Sequence, residues 1–220
     1  MGHSNSQAAI EPMPVALLQE PLVWFFAEHY RHRDVCNKLR DLSASVTFEG
    51  KVLQEIAQFL EVDMPLHIID EEDDLFPLLR RRCEADDQIE KILGMLSGEH
   101  ASDMHDASAV SELIRKAIDE ERGLAVFSEA DAVVPTFCQS QKRHIAVENA
   151  VVLPIARLRL TDADLVSLGQ RLAARRGLGR NKAAVRAKTD EVLSRLNISD
   201  RADQMAGDLS YGHQRILEIG

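Results

Sequence analysis

Aromatic residues are scarce in this 220-residue chain, at 5%, with one Trp, two Tyr and seven Phe. β-Sandwiches and barrels draw on aromatic and β-branched runs, so the scarcity, beside abundant aliphatic and charged residues, favours helices. Cysteine is equally sparse: Cys36, Cys83 and Cys138 are odd in number and widely spaced. That argues against a secreted disulfide framework and for a reducing cytoplasm. Staples are not needed at this length, because folding buries roughly 70% of the unfolded chain's surface. No apolar run reaches the roughly 18 residues of a membrane span. The opening MGHSNSQAAIEPMPVALLQEP has neither the basic flank nor the apolar centre of a secretion signal. Positive charge is in deficit, 26 Lys and Arg against 36 Asp and Glu, which argues against nucleic acid as a partner. The expectation is a soluble cytoplasmic protein with no membrane insertion.

What is present is amphipathic helix. Residues 1–15, small and polar with Pro12 and Pro14, read as a flexible N-terminal segment. Four long patterns follow, over about Pro21 to Leu42, Glu49 to Cys83 with a break near Pro65, Asp86 to Leu124, and Asp131 to Leu160. A fifth starts at the cap residues Thr161 and Asp162 and ends at Gly177 behind Arg175 and Arg176. The acidic excess ends there too, which sets a boundary near Gly177 to Gly179. No hairpin signal or repeat interrupts the series. The fold class is all-α, an up-down four-helix bundle over residues 16–177 with additional C-terminal helices.

Each helical pattern carries an inward stripe at three- and four-residue spacing, and polar residues interrupt it. The first reads Leu22, Phe25, His29, Cys36, Leu39, and the second Leu53, Ile56, Leu60, Met64, His67, Glu71, Leu75, Leu78. The third reads Leu93, Leu96, His100, Met104, Ala107, Val110, Ile114, and the fourth Phe137, Gln141, His144, Glu148, Val151, Ile155, Leu158. Four histidines and two glutamates thus fall where a core belongs, and buried carboxylates need partners. A shared cation would satisfy them together. His67 with Glu71, and His144 with Glu148, are four apart and share a helix face. Imidazole with carboxylate suits iron, manganese or zinc, and six ligands exceed one tetrahedral zinc; two metals bridged by two carboxylates is the natural count. His32, one turn after His29, is the other candidate on the first helix. His105 is off its stripe and reads as solvated, while His3 and His213 lie outside the bundle. The run Asp70, Glu71, Glu72, Asp73, Asp74 followed by Arg80, Arg81 and Arg82 reads as a solvated face that complements the helix dipole, with Glu71 alone inward.

The segments FFAEHYRHRDVCNKL, LHIIDEEDDLFPLLRRR, GEHASDMH and RHIAVENAVVLPIARLRLT resemble the hemerythrin-type HHE cation-binding family over about residues 20–177. The resemblance implies a four-helix bundle holding a non-haem di-iron centre, with two iron ions under an oxo or hydroxo bridge. His29, His67, His100 and His144 would be terminal ligands, and Glu71 and Glu148 bridging ones. Oxygen carriers of the family place a fifth histidine where this chain has Met104. That departure points from reversible oxygen transport towards a more open site, one that meets oxygen, nitric oxide or peroxide, or handles iron. Phe25, Leu75 and Leu96 would wall it.

Residues 178–220 include LNISDRADQMAGDLSYGHQRILEIG, which resembles the signature region of cassette ATPases serving branched-chain amino acid importers. Leu209, Ser210, Tyr211, Gly212, Gln214 and Arg215 fit that signature, and His213 replaces its usual glutamine. The chain has no G-x-x-x-x-G-K-[ST] phosphate loop, so no ATPase activity is expected, and the tail reads as a fusion or truncation remnant. Two other function classes stand beside the metal reading. One is a metal-free helical interaction module, in which the six polar residues form an internal network; the other is an accessory fragment of a transporter ATPase.

Overall fold

The computed structural model describes residues 10–178, and every regular element among them is helical. Short 3-10 turns at Val15–Gln19, Ala85–Asp87 and Leu124–Val126 join the long elements. The first rod is α1, Pro21–Ser43, with Pro21 opening it where a missing N–H costs nothing. The second comprises α2 (Gly50–Gln58), α3 (Met64–Ile69) and α4 (Phe76–Arg82). The third is α5, Ile89–Asp119. The fourth comprises α6 (Ala130–Val147) and α7 (Leu153–Arg159), and α8 (Asp162–Arg175) follows. No helix among the described residues is long and apolar enough to cross a membrane, and Cys36, Cys83 and Cys138 are free.

Pro65 does not break the second rod as expected. The interruptions are single π turns at Phe59–Asp63, Asp70–Leu75 and Glu148–Val152. Each ends just before a proline, Pro65, Pro77 or Pro154. Proline cannot donate to the carbonyl four residues back, and the residue before it donates five back instead. Met64 N–H reaches Phe59 O, Phe76 reaches Glu71 O and Leu153 reaches Glu148 O. The rods therefore run on through their prolines at the cost of one extra residue per turn. That extra residue rotates everything downstream. The stripe expected at Val151, Ile155 and Leu158 is displaced: Val152, Ala156 and Leu160 are buried, Val151 and Ile155 are half-buried, and Leu158 is 73% exposed.

The core forms two clusters. One contains Val35 to Leu42 of α1, Val52 to Met64, Ala107 to Ala117 and Ala130 to Cys138; the other contains Leu22 to Phe25, Leu75 to Leu79, Ile89 to Leu96 and Val152 to Leu160. Their order along the chain reverses from each rod to the next, which is the signature of an up-down arrangement. The histidines and glutamates lie between the clusters as a polar waist. At the N-terminal end, residues 1–9 lie outside the described residues, while Ile10 N–H donates to Glu55 at 2.9 Å.

The fifth helix keeps its expected bounds. Thr161 and Asp164 form a reciprocal capping box. Gly177, at φ 70°, ends the helix with Leu178 N–H on Ala173 O at 2.8 Å. Arg82 holds Asp164 bidentately at 2.8 and 2.9 Å. At Gly169, α8 touches the Val15–Gln19 turn so closely that a Cβ would stand 2.2 Å from Leu18 O. Exchange of a helix glycine for alanine ordinarily gains about 1 kcal/mol, so the two glycines with opposite surroundings should respond oppositely. Gly94→Ala, which meets nothing within 4 Å, should raise the thermal midpoint by about 2–4 °C, and Gly169→Ala should lower it. A midpoint raised by both would mean that α8 does not pack on the Leu18 turn.

Candidate metal centre

Each rod brings one histidine to the waist, and the two rods with π turns each add a glutamate. His29 comes from α1, His67 from α3, His100 from α5 and His144 from α6. Glu71 and Glu148 sit at the starts of their π turns, a turn after His67 and His144. All six are buried. Their donor atoms fall into two overlapping groups, His29–His67–Glu71–Glu148 and Glu71–His100–His144–Glu148, each within 4.8 Å.

The distances pair the two groups through the carboxylates. Glu71 Oε1 lies 3.8 Å from His29 Nε2 and 3.5 Å from His67 Nε2, while its Oε2 lies 3.2 Å from His100 Nε2. Glu148 Oε2 lies 3.2 Å from His29 Nε2, and its Oε1 lies 3.2 Å from His144 Nε2. His100 and His144 face each other, Nε2 to Nε2, at 3.2 Å. His29 Nε2, Glu71 Oε2 and both Glu148 oxygens are buried without a hydrogen-bond partner. Buried polar atoms are rarely left so, and a set of nitrogen and carboxylate-oxygen donors turned towards one centre fits a transition metal.

The opposite ring nitrogens are all engaged. His67 Nδ1 donates to Glu28 at 3.0 Å, His100 Nδ1 to Glu72 at 2.6 Å, His144 Nδ1 to Glu99 at 3.1 Å and His29 Nδ1 to Asn149 at 2.7 Å. The partners form a closed ring. Each rod supplies a group to the histidine of the next, and the fourth returns to the first. Such bonds fix the tautomer, leaving the Nε2 lone pair for a ligand, and orient the ring. Sequence reading misses all four partners. Yet each is the chain neighbour of an inner residue: Glu28 of His29, Glu72 of Glu71, Glu99 of His100 and Asn149 of Glu148.

One choice left open by the sequence narrows here, and two expectations change. Of the two first-rod candidates, His29 joins the inner group, whereas His32 is buried one layer away with Nδ1 on Gln141 at 2.9 Å. The acidic run is not one solvated face: Asp73 alone is exposed, Asp70 and Asp74 are buried in ion pairs with arginines of α8, and Glu72 holds His100. Met104 is half-buried and lines an outer groove with Leu60, Pro65 and Ser111. The residue of α5 that turns to the waist is Asp103, 3.6 Å from His144 Nδ1 and a hydrogen-bond acceptor from Ser140. Phe25, Leu75 and Leu96 are buried as expected, and His105 is exposed. His3, His213 and the signature-like segment around Leu209 to Arg215 lie outside the described residues.

Beside His67, His100 and His144 is a cavity of about 10 Å³, lined also by His32, Met64, Asp103 and Gln141. That is room for about one water-sized group. Burial opposes charge on His67, but the carboxylates of Glu71 and Glu28 outweigh it and push the pKa up to about 10. Burial likewise opposes charge on His144, and Glu148 raises it to about 9. For Glu71 burial favours the neutral acid, yet His67 and His100 hold it well below the usual carboxylate range. His32, by contrast, is kept neutral by burial and by His67. Where no metal is bound, the raised pKa values of His67, His100 and His144 favour protonated rings beside Glu71 and Glu148.

Residues 21–156 match the family model of the hemerythrin HHE cation binding domain. No curated protein gives a match. The matched residues stop short of the tail, whose likeness to cassette ATPases gains no support from them.

The raised imidazole pKa values set a pH window for the chelator-stripped protein. Unfolded histidine titrates near 6.5, so the stabilisation is complete below about that pH. It is lost as pH rises through about 9 for His144 and about 10 for His67. The urea midpoint of stripped protein should therefore fall between about pH 6.5 and 10. A flat or rising midpoint would show that these imidazoles are neutral without metal.

Proposed function

Since the chain belongs to the hemerythrin HHE cation-binding family, we propose that its buried His/Glu cluster holds a non-haem di-iron centre. His29 and His67 would hold one iron and His100 and His144 the other, with Glu71 and Glu148 common to both groups. The observation that carries this reading is the set of buried, partnerless donor atoms, His29 Nε2, Glu71 Oε2 and the two Glu148 oxygens, backed by the four engaged Nδ1 atoms. Each carboxylate presents one oxygen to each histidine pair.

Two irons bound there would supply redox chemistry and a position for a small ligand. The residues of this chain do the rest. Glu28, Glu72, Glu99 and Asn149 orient the imidazoles. The cavity beside His67, His100 and His144, with room for about one water-sized group, would have to open slightly to take oxygen, nitric oxide or peroxide, and excludes anything larger. Neutral His32 and Gln141 line it and offer hydrogen bonds. The apolar clusters on either side keep bulk water away and the local dielectric low. With Met104 in an outer groove, no fifth imidazole stands at the corresponding turn of α5, which favours sensing, detoxification or iron handling over oxygen transport. The free thiols agree with a cytoplasmic location.

The test is elemental analysis of protein made in iron-supplied cells. Close to two irons per chain are expected, with a sharp loss in a variant carrying Glu71→Ala and Glu148→Ala. A folded helical protein with no metal would instead support the interaction-module reading, and one tightly bound ion would remove the paired centre. Met104→His should leave the iron spectrum unchanged, because its side chain does not line the site cavity; a new imidazole signature there would mean that α5 sits in a different register.

A further inference from the structure

We propose that α8, which lies beyond the residues matched to the family, is a strap that positions the metal centre, with Arg176 acting through Glu28 on His67. The inference rests on the di-iron reading. Glu28 is nearly fully buried and divides its two oxygens: Oε2 accepts from His67 Nδ1 at 3.0 Å, and Oε1 accepts from Arg176 Nη2 at 3.1 Å. One carboxylate thus joins the end of α8 to a ring whose other nitrogen faces Glu71. Arg176 is held in place from three sides. It is the last residue before the Gly177 stop, its guanidinium lies over the Trp24 ring at 4.6 Å, and its Nη2 is 2.6 Å from Asp70 Oδ2.

The same helix grips the π turn that carries the bridging glutamate. Arg175 pairs with Asp70 and, at 2.8 Å, with Asp74; Arg171 pairs with Asp74 as well. Asp70 immediately precedes Glu71, and both aspartates are buried. Arg171 and Arg175 of α8, with Arg176 at its C-cap, therefore pair with three buried carboxylates, Glu28, Asp70 and Asp74, and two of these border Glu71 or its histidine partner. An ordinary surface helix would dock by its apolar stripe, here Leu168 and Leu172, and would leave such carboxylates elsewhere. Because coupling is reciprocal, an arrangement that tightens iron binding when α8 is docked must also tighten α8 when iron is bound.

Two measurements on the full chain test this. In anaerobic ferrous iron titrations, Arg176→Gln should weaken iron binding by about tenfold, the lower range for loss of a group that orients a ligand. Arg176→Lys should recover some of it, since a lysine keeps the charge but not the fork. Arg159→Gln, whose partners Asp87 and Glu84 are remote from the site, should bind like the parent. In hydrogen exchange, the amides of residues 162–176 should exchange at least about fivefold faster in stripped than in iron-loaded parent, and Arg176→Gln should shrink that difference. A variant that melts lower yet binds iron as tightly as the parent, with the iron-dependent exchange intact, would overturn the strap and leave α8 a structural helix. Failure of the parent to take up iron would overturn the di-iron reading together with the strap, an outcome distinct from equal binding by parent and variant.

Discussion

Two carboxylates buried among four imidazoles, midway along a helical bundle, set the terms for the rest of this molecule. Such a cluster is unfavourable in an apolar interior unless protons or metal ions neutralise it and each ring is held by a hydrogen bond. The fold supplies the holding groups by dividing its core. Apolar clusters seal the waist above and below, and polar residues are gathered into the single layer where four rods can reach one another. The reversal of cluster order along successive rods is the geometric consequence.

The ring of outer partners explains why the layer is well defined. Glu28, Glu72, Glu99 and Asn149 each reach across to the next rod, so a one-residue slip of any rod would break a pair of bonds: the one its histidine makes and the one its own outer residue accepts. An apolar interface would tolerate such a slip by repacking. A directional ring does not, and it gives four long helices one register. α8 extends the same logic outward, because its arginines face the carboxylates that border the second rod's histidine and glutamate.

Much of this is legible in the residue order, and the limits have physical causes. The six inner residues stand out because each interrupts an apolar stripe. Their partners do not, because a glutamate one step off a stripe has the pattern of an ordinary solvated side chain. Asp70 and Asp74 resemble surface charge for the same reason, since their arginines lie about a hundred residues later. The choice between His29 and His32 depends on helix rotation, which spacing alone leaves open. The shift from Leu158 to Ala156 and Leu160 follows from a π turn. Its local sign is present in Pro65, Pro77 and Pro154, but a proline within a helix pattern reads first as a break.

Those prolines leave Glu71 and Glu148 in an unusual backbone position. Glu71 and Glu148 each stand at the head of a turn with one residue more than a regular helix needs. In the uninterrupted helices α1 and α5 every turn follows the same ladder of backbone bonds. A π turn departs from that ladder at one place. The two carboxylates of the cluster thus join their rods through the least regular backbone of the bundle, whereas all four imidazoles stand on regular helix.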